Sequence, residues 1–184
     1  MKKILFILFI SVSATVSAQH EEHLKTDSAN QQPKPKSPHT FAMATIGNNH
    51  IHVDYSSPSV RGRQIWNGLV AYKQVWAAGA HNATSISFGA DVVMEGKTIQ
   101  KGKYGFFIIP DKDQWTLILN KNWNMHLADN YNEADDIIRI ITIPGKNKAL
   151  KEALTYEIIE TGKNKGLIKM SWEYLSVSIK FENK

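Results

Sequence analysis

From residue 41 to the C-terminus, apolar residues recur in short runs rich in Ile, Val, Phe, Trp and Thr, broken at close intervals by Gly, Asn, Asp and Pro. That rhythm predicts strands, not helices. The expected strands lie near 41–46, 50–55, 84–88, 92–94, 104–109, 115–120, 137–143, 154–160, 167–172 and 175–181. The last is the cleanest: Leu175, Val177, Ile179 and Phe181 alternate with Ser176, Ser178 and Lys180, giving one buried and one wet face. The run YGFFII at 104–109 is apolar on both faces and reads as a central strand. Helix signals are confined to a turn or two at 69–75 and at 146–154. The pattern predicts an all-β domain over 41–184, an antiparallel two-sheet sandwich or a jelly-roll-like barrel with one or two short helical turns.

The N-terminal region breaks the rhythm. Two lysines, an apolar run from Ile4 to Ile10 and small residues closing on Ala18 form a secretory signal peptide over 1–18. Nowhere in the sequence is there the run of about 20 apolar residues that a transmembrane segment needs. The expected location is therefore periplasmic or secreted, after cleavage near Ala18. Residues 19–40 are rich in Gln, Pro, Lys and Ser and read as a flexible leader whose His20 and His23 could capture stray metal. Losing Lys2 and Lys3 takes the formal charge from +5 to +3, and the scattered basic residues give no footprint for nucleic acid. An exported chain with no cysteine must rest on an ordinary packed core.

Four stretches carry a resemblance: DYSSPSVRGR (54–63), IWNGLVAYKQVWAAGAHNAT (65–84), GKTIQKGKYGFFIIP (96–110) and WTLILNKNW (115–123). In combination they are similar to the DUF2911 family, exported proteins frequent in Bacteroidetes whose function is undefined. Many members carry W-R-x-G-A-N-E-A-T where this chain has Trp76 to Thr84. Ala77 stands in place of the arginine, and His81 and Asn82 in place of the asparagine and glutamate. The chain resembles the subset with GAH and, later, NWxxHLAD, matched by Asn122, Trp123, His126, Leu127, Ala128 and Asp129. The resemblance implies a fold and export, and no activity.

Four constellations could carry chemistry. Alternation puts His50, His52 and Asp54 on one strand face, a set that could ligate a divalent transition metal, zinc or copper, or could simply face solvent. His81 sits where a loop enters a strand, with Asn82 and Thr84 as hydrogen-bonding neighbours, or else in a plain turn. His126 and Asp129, three apart beside Trp123, suit two metal ligands or a histidine oriented by a carboxylate, and equally a capping turn packed by Trp123 and Leu127. In the loop YSSPSVRGR, Arg61 and Arg63 could clamp an anion or tie the loop to a carbonyl. Its serines lack the G-x-S-x-G setting of a hydrolase nucleophile. Among the five tryptophans, Trp66 and Trp123 lie in loop-like segments and are expected to be exposed.

Two functional readings follow. In the first, the domain binds an envelope ligand or protein partner through loops at one end, using Tyr55, Arg61, Arg63, Trp66, Asn82, Thr84, Trp123 and Asp129. In the second, His52, His81 and His126 build a metal site that stores metal or activates water for hydrolysis.

Overall fold

Alternation along the second strand buries Ile51, Val53 and Tyr55 and turns His50, His52 and Asp54 outward. The structure, a computed structural model, describes residues 36–184. The expected signal peptide, and the leader as far as residue 35 with His20 and His23, lie outside the described residues. Ten strands follow: β1 (His39–Ile46), β2 (Asn49–Ser56), β3 (Ser85–Phe88), β4 (Val92–Met94), β5 (Lys97–Ile99), β6 (Gly102–Ile109), β7 (Trp115–Asn120), β8 (Asp136–Thr142), β9 (Gly145–Gly162) and β10 (Lys165–Asn183). They form two antiparallel sheets, ordered β1-β2-β3-β6-β7-β8 and β5-β4-β10-β9, so the architecture is an open sandwich and not a closed barrel.

One apolar core fills the space between the sheets. The larger sheet contributes Ile51, Val53, Ile86, Phe106, Ile108 and Leu117, and the smaller one Leu154, Ile168, Met170, Val177, Ile179 and Phe181. At one end the core becomes aromatic: Trp66 touches Trp76, Trp115 and Trp172 with ring centroids 5.9, 4.5 and 5.9 Å away. At the other end Asn49 Nδ2 donates to Asn183 Oδ1 (2.8 Å) and Asn183 Nδ2 to the Ile46 carbonyl (2.7 Å), joining the sheets by a satisfied buried polar link.

Several sequence expectations need correction. Neither helical turn exists; among the described residues the one helical element is a 3-10 turn at Glu133–Asp135. Residues 146–154 are strand because β9 pairs with β10, and cross-strand pairing overrides a weak local pattern. Residues 69–75 are held by distant carbonyls, with Lys73 N bonded to Pro110 O (2.8 Å) and Trp76 N to Ile108 O (2.8 Å). The expected strands at 167–172 and 175–181 are one strand, whose register shifts between Ser171 and Leu175 mark a bulge, with Glu173 at φ 54°. β5 was concealed by flanking glycines, and β1 begins at His39, inside the segment expected as leader. Among the described residues no helix is long and apolar enough to cross a membrane.

Trp115 is 1 % exposed and packs in the aromatic end of the core. Trp115→Ala is expected to lower the unfolding free energy by about 3–5 kcal/mol in urea denaturation; a loss under about 1 kcal/mol would show that the tryptophan cluster does not support the fold.

Candidate functional site

Between β2 and β3 the chain leaves the larger sheet and closes one end of the sandwich. Proline at 58 and glycine at 62 favour a loop, and tertiary hydrogen bonds fix it. Ser57 Oγ donates to Leu154 O (2.7 Å), Leu154 N to Pro58 O (2.9 Å) and Val60 N to Glu152 O (2.7 Å), so the loop is stitched to β9. Arg61 Nη2 donates to Lys36 O (2.5 Å), and Arg63 donates through Nε to Val60 O (3.2 Å) and through Nη2 to Ser59 O (2.6 Å). Of the two roles open to these arginines, tying the loop to carbonyls is the one seen, and Arg63 retains further donors.

Farther along, Trp76 and Thr84 both pair with β6, and the residues between them swing out as an excursion. Thr84 Oγ1 donates to the Ala78 carbonyl (3.0 Å), which also accepts from Tyr156 Oη (2.7 Å). Burial pushes the Tyr156 phenol well above its ordinary pKa, so it stays a neutral donor. A Cβ at Gly79 would stand 2.7 Å from Thr84 Oγ1 and 3.2 Å from Ser56 O, so only glycine permits this closure. Thr84 is fully buried, and Tyr55, 6 % exposed, lies edge-on against Tyr156 at 4.7 Å. Both side chains are packed in the core, with the Tyr55 hydroxyl accepting from Tyr156 N (3.3 Å). Trp66 likewise is buried at 8 % exposure among the other tryptophans, contrary to its loop-like context.

The excursion meets the stretch after β7. Ala83 N donates to Met125 O (3.0 Å) and Leu127 N to His81 O (2.6 Å), with Asn82 and His126 bridged as partners. Beneath them Ala77, Ala83 and Met125 cover Phe107 and Ile118, a second apolar cluster on the outer face of the larger sheet. This is why YGFFII is apolar on both faces. A Cβ at Gly105 would meet Asn122 O at 2.5 Å, so glycine lets the second stretch lie directly on the sheet. Asp136 anchors its far end, accepting from Asn120 Nδ2 (2.8 Å) and Tyr131 Oη (2.7 Å). Trp123 is exposed as expected, with Lys103 Nζ 4.0 Å from its ring centroid.

The predicted His81 and His126 segments are therefore neighbours, and His52 is not with them. His126 Nδ1 lies 2.9 Å from Asp129 Oδ2, both largely exposed, which orients the imidazole. His52 belongs to the open outer face of β2, where it stacks on Phe41 at 5.4 Å. Among the described residues no three His, Cys, Asp or Glu side chains are grouped closely enough to hold a metal. The triad His52, His81 and His126 is corrected on that ground: strand register commits His52 to a different surface.

What the loops do enclose is a cleft of about 330 Å³ lined by Ser37, Pro58, Arg63, Leu69, Val70, Trp76, Gly79, Ala80, Leu127 and Trp172. Its wall includes Trp76 and Trp172, stacked at 5.8 Å and 23°. Around it Arg61, Asn67, Lys73, Ala78, His81 and Leu127 hold positive φ, six of the nine such non-glycine residues among those described. Such backbone costs free energy and persists only where the surroundings over-determine it, a concentration typical of functional surfaces. The sequence offered no direct signal for this cleft, since its wall is assembled from tryptophans that local pattern assigned to the core.

A family model described as a protein of unknown function, DUF2911, matches residues 37–181. No curated protein and no solved structure matches the chain.

Removing both loop histidines in H81A/H126A is expected to leave the metal content of the purified mature domain unchanged, measured by elemental analysis. Stoichiometric zinc or copper present in the wild type and lost in the variant would restore the metal reading. Tyr131 has its pKa raised from the ordinary 10.0, first by burial and then by its bond to Asp136. A raised pKa contributes stability that is complete below the unfolded value and lost as pH rises beyond it. Denaturation stability is expected to decline above pH about 10, and less steeply in Y131F; equal slopes would exclude a Tyr131 contribution.

Proposed function

We propose, from the premise that the chain belongs to the DUF2911 family of unknown function, that it is an exported sandwich protein that binds an envelope ligand in the cleft at its loop end. One observation carries this reading. Three stretches that mark the sequence, the neighbouring 54–63 and 65–84 and the more distant NWxxHLAD at 122–129, contribute Pro58, Arg63, Trp76, Gly79, Ala80 and Leu127 to a single concavity. Its size falls within the roughly 300–1,000 Å³ of small-molecule sites, and its lining follows the same pattern, mostly apolar and aromatic with few polar groups. The N-terminal signal sequence supports export to the envelope.

Departures from the common family pattern fit this assignment. Ala77, in place of an arginine, is 1 % exposed in the cluster beneath the excursion, so this chain has no guanidinium there. His81 is exposed at positive φ next to the cleft residue Ala80. A larger hollow of about 490 Å³ exists over Val93, Gly96, Lys165 and Phe181, but no part of the three stretches reaches it and the Lys165–Glu182 ion pair (3.1 Å) bounds it. We therefore place binding at the smaller, aromatic cleft.

The test is to fill the cleft. Ala80 lines it and is only partly buried, so A80W is expected to fold while occupying the space. Wild-type protein recovered from exporting cells should release a small molecule on denaturation in mass spectrometry, and A80W should release none. Identical release from both proteins would exclude the cleft as the binding site.

A further inference from the structure

Among the residues that line the cleft, Arg63 is the one that carries charge, and no aspartate or glutamate faces it there. Apart from Ser37, the rest of the lining is apolar or glycine: Leu69, Val70, Trp76, Leu127 and Trp172 form most of the wall. Leu69 and Leu127 keep 49 % and 39 % of their surface exposed, so the mouth of the cleft is greasy as well as its wall. Arg63 itself is exposed, so its guanidinium is open to an incoming ligand of opposite charge at the edge of this apolar surface.

We propose that the ligand of this cleft is a monocarboxylate with an apolar body, its carboxylate paired with Arg63; this rests on the cleft reading given above. Two observations support that class over other anions. First, Nε and Nη2 of Arg63 already donate to Val60 O (3.2 Å) and Ser59 O (2.6 Å), which fixes the guanidinium before any ligand arrives. The remaining donors of the group suit a planar carboxylate, and prior fixation reduces the ordering cost of binding. Second, a single cation balances a single negative charge. No second cationic side chain lines the cleft, and no helix N-terminus is available among the described residues to help carry a phosphate dianion.

The test uses the mature wild-type protein labelled with ¹⁵N, whose five tryptophans give five indole signals. The probes are 2-naphthoate, the neutral 2-naphthylmethanol and 2-naphthyl phosphate. 2-Naphthoate is expected to shift the Trp76 and Trp172 signals and to bind about tenfold or more tightly than the alcohol, the scale of one charge-assisted hydrogen bond. R63Q should abolish that preference and R63K should retain part of it, with melting temperature recorded for each variant. The comparison of probes on wild type does not depend on whether R63Q folds. Equal binding of naphthoate and alcohol, tighter binding of the phosphate, or an undiminished preference in a folded R63Q would each overturn the carboxylate assignment while leaving the cleft intact. Failure of every probe to move either indole signal would overturn the cleft itself.

Discussion

The Ala78 carbonyl is where the two sheets and the excursion between Trp76 and Thr84 are tied together. It accepts from Thr84 Oγ1, on the strand line that continues the larger sheet, and from Tyr156 Oη on β9 of the smaller one. Both donors are buried, and a buried hydrogen bond of this kind is most costly when only one partner remains. The bond pair fixes where the excursion after Trp76 leaves the sheet. Gly79 is the accommodation this requires, because any Cβ there would collide with Thr84 Oγ1. From that fixed base the chain runs to Ala80 and His81 at the cleft, then returns through Asn82 to the sheet.

The same constraint explains the unequal outer face of the larger sheet. Over β6 and β7 the excursion and the stretch 122–131 bury Phe107 and Ile118, so these strands are apolar on both sides. Over β1 and β2 none of the described residues covers the sheet in this way, and Phe41, Met43 and His52 are exposed or partly so among them. Trp123 stands at the step between the two regions, with Lys103 over its ring. Loops pinned at both ends to strands form a stiff rim, and the left-handed residues gathered in them are held by this pinning. A stiff rim suits a preformed cleft.

Much of this was legible in the chain. Period-two alternation gave the β class and the facing of β2 and β10, because side-chain direction in a strand depends only on sequence parity, and the unbroken apolar run of β6 gave its central position. The metal reading set His81 beside His126 together with His52; the backbones of the first two segments meet, and His52 lies on another face. Exposure of Trp123 followed from its loop setting, whereas Trp66, in a similar setting, proved to be core. The difference lies in partners: Trp66 meets Trp76, Trp115 and Trp172, which come from three other segments of the chain.

By itself, then, the sequence determined most of the strands, their buried faces and the main loop stretches, since these follow from local spacing and turn chemistry, whereas β5 and the first half of β9 depend on pairing. Only the tertiary structure decided which polar side chains were left for function. Ser57, Thr84 and Tyr55 are spent inside, two of them on partners about a hundred positions away, Leu154 and Tyr156. It also decided that His52 and His126 belong to separate surfaces, and that Arg63 stands alone among apolar walls. Hydrogen-bond satisfaction and burial are settled by pairings distant in the chain, and parity carries no record of those pairings.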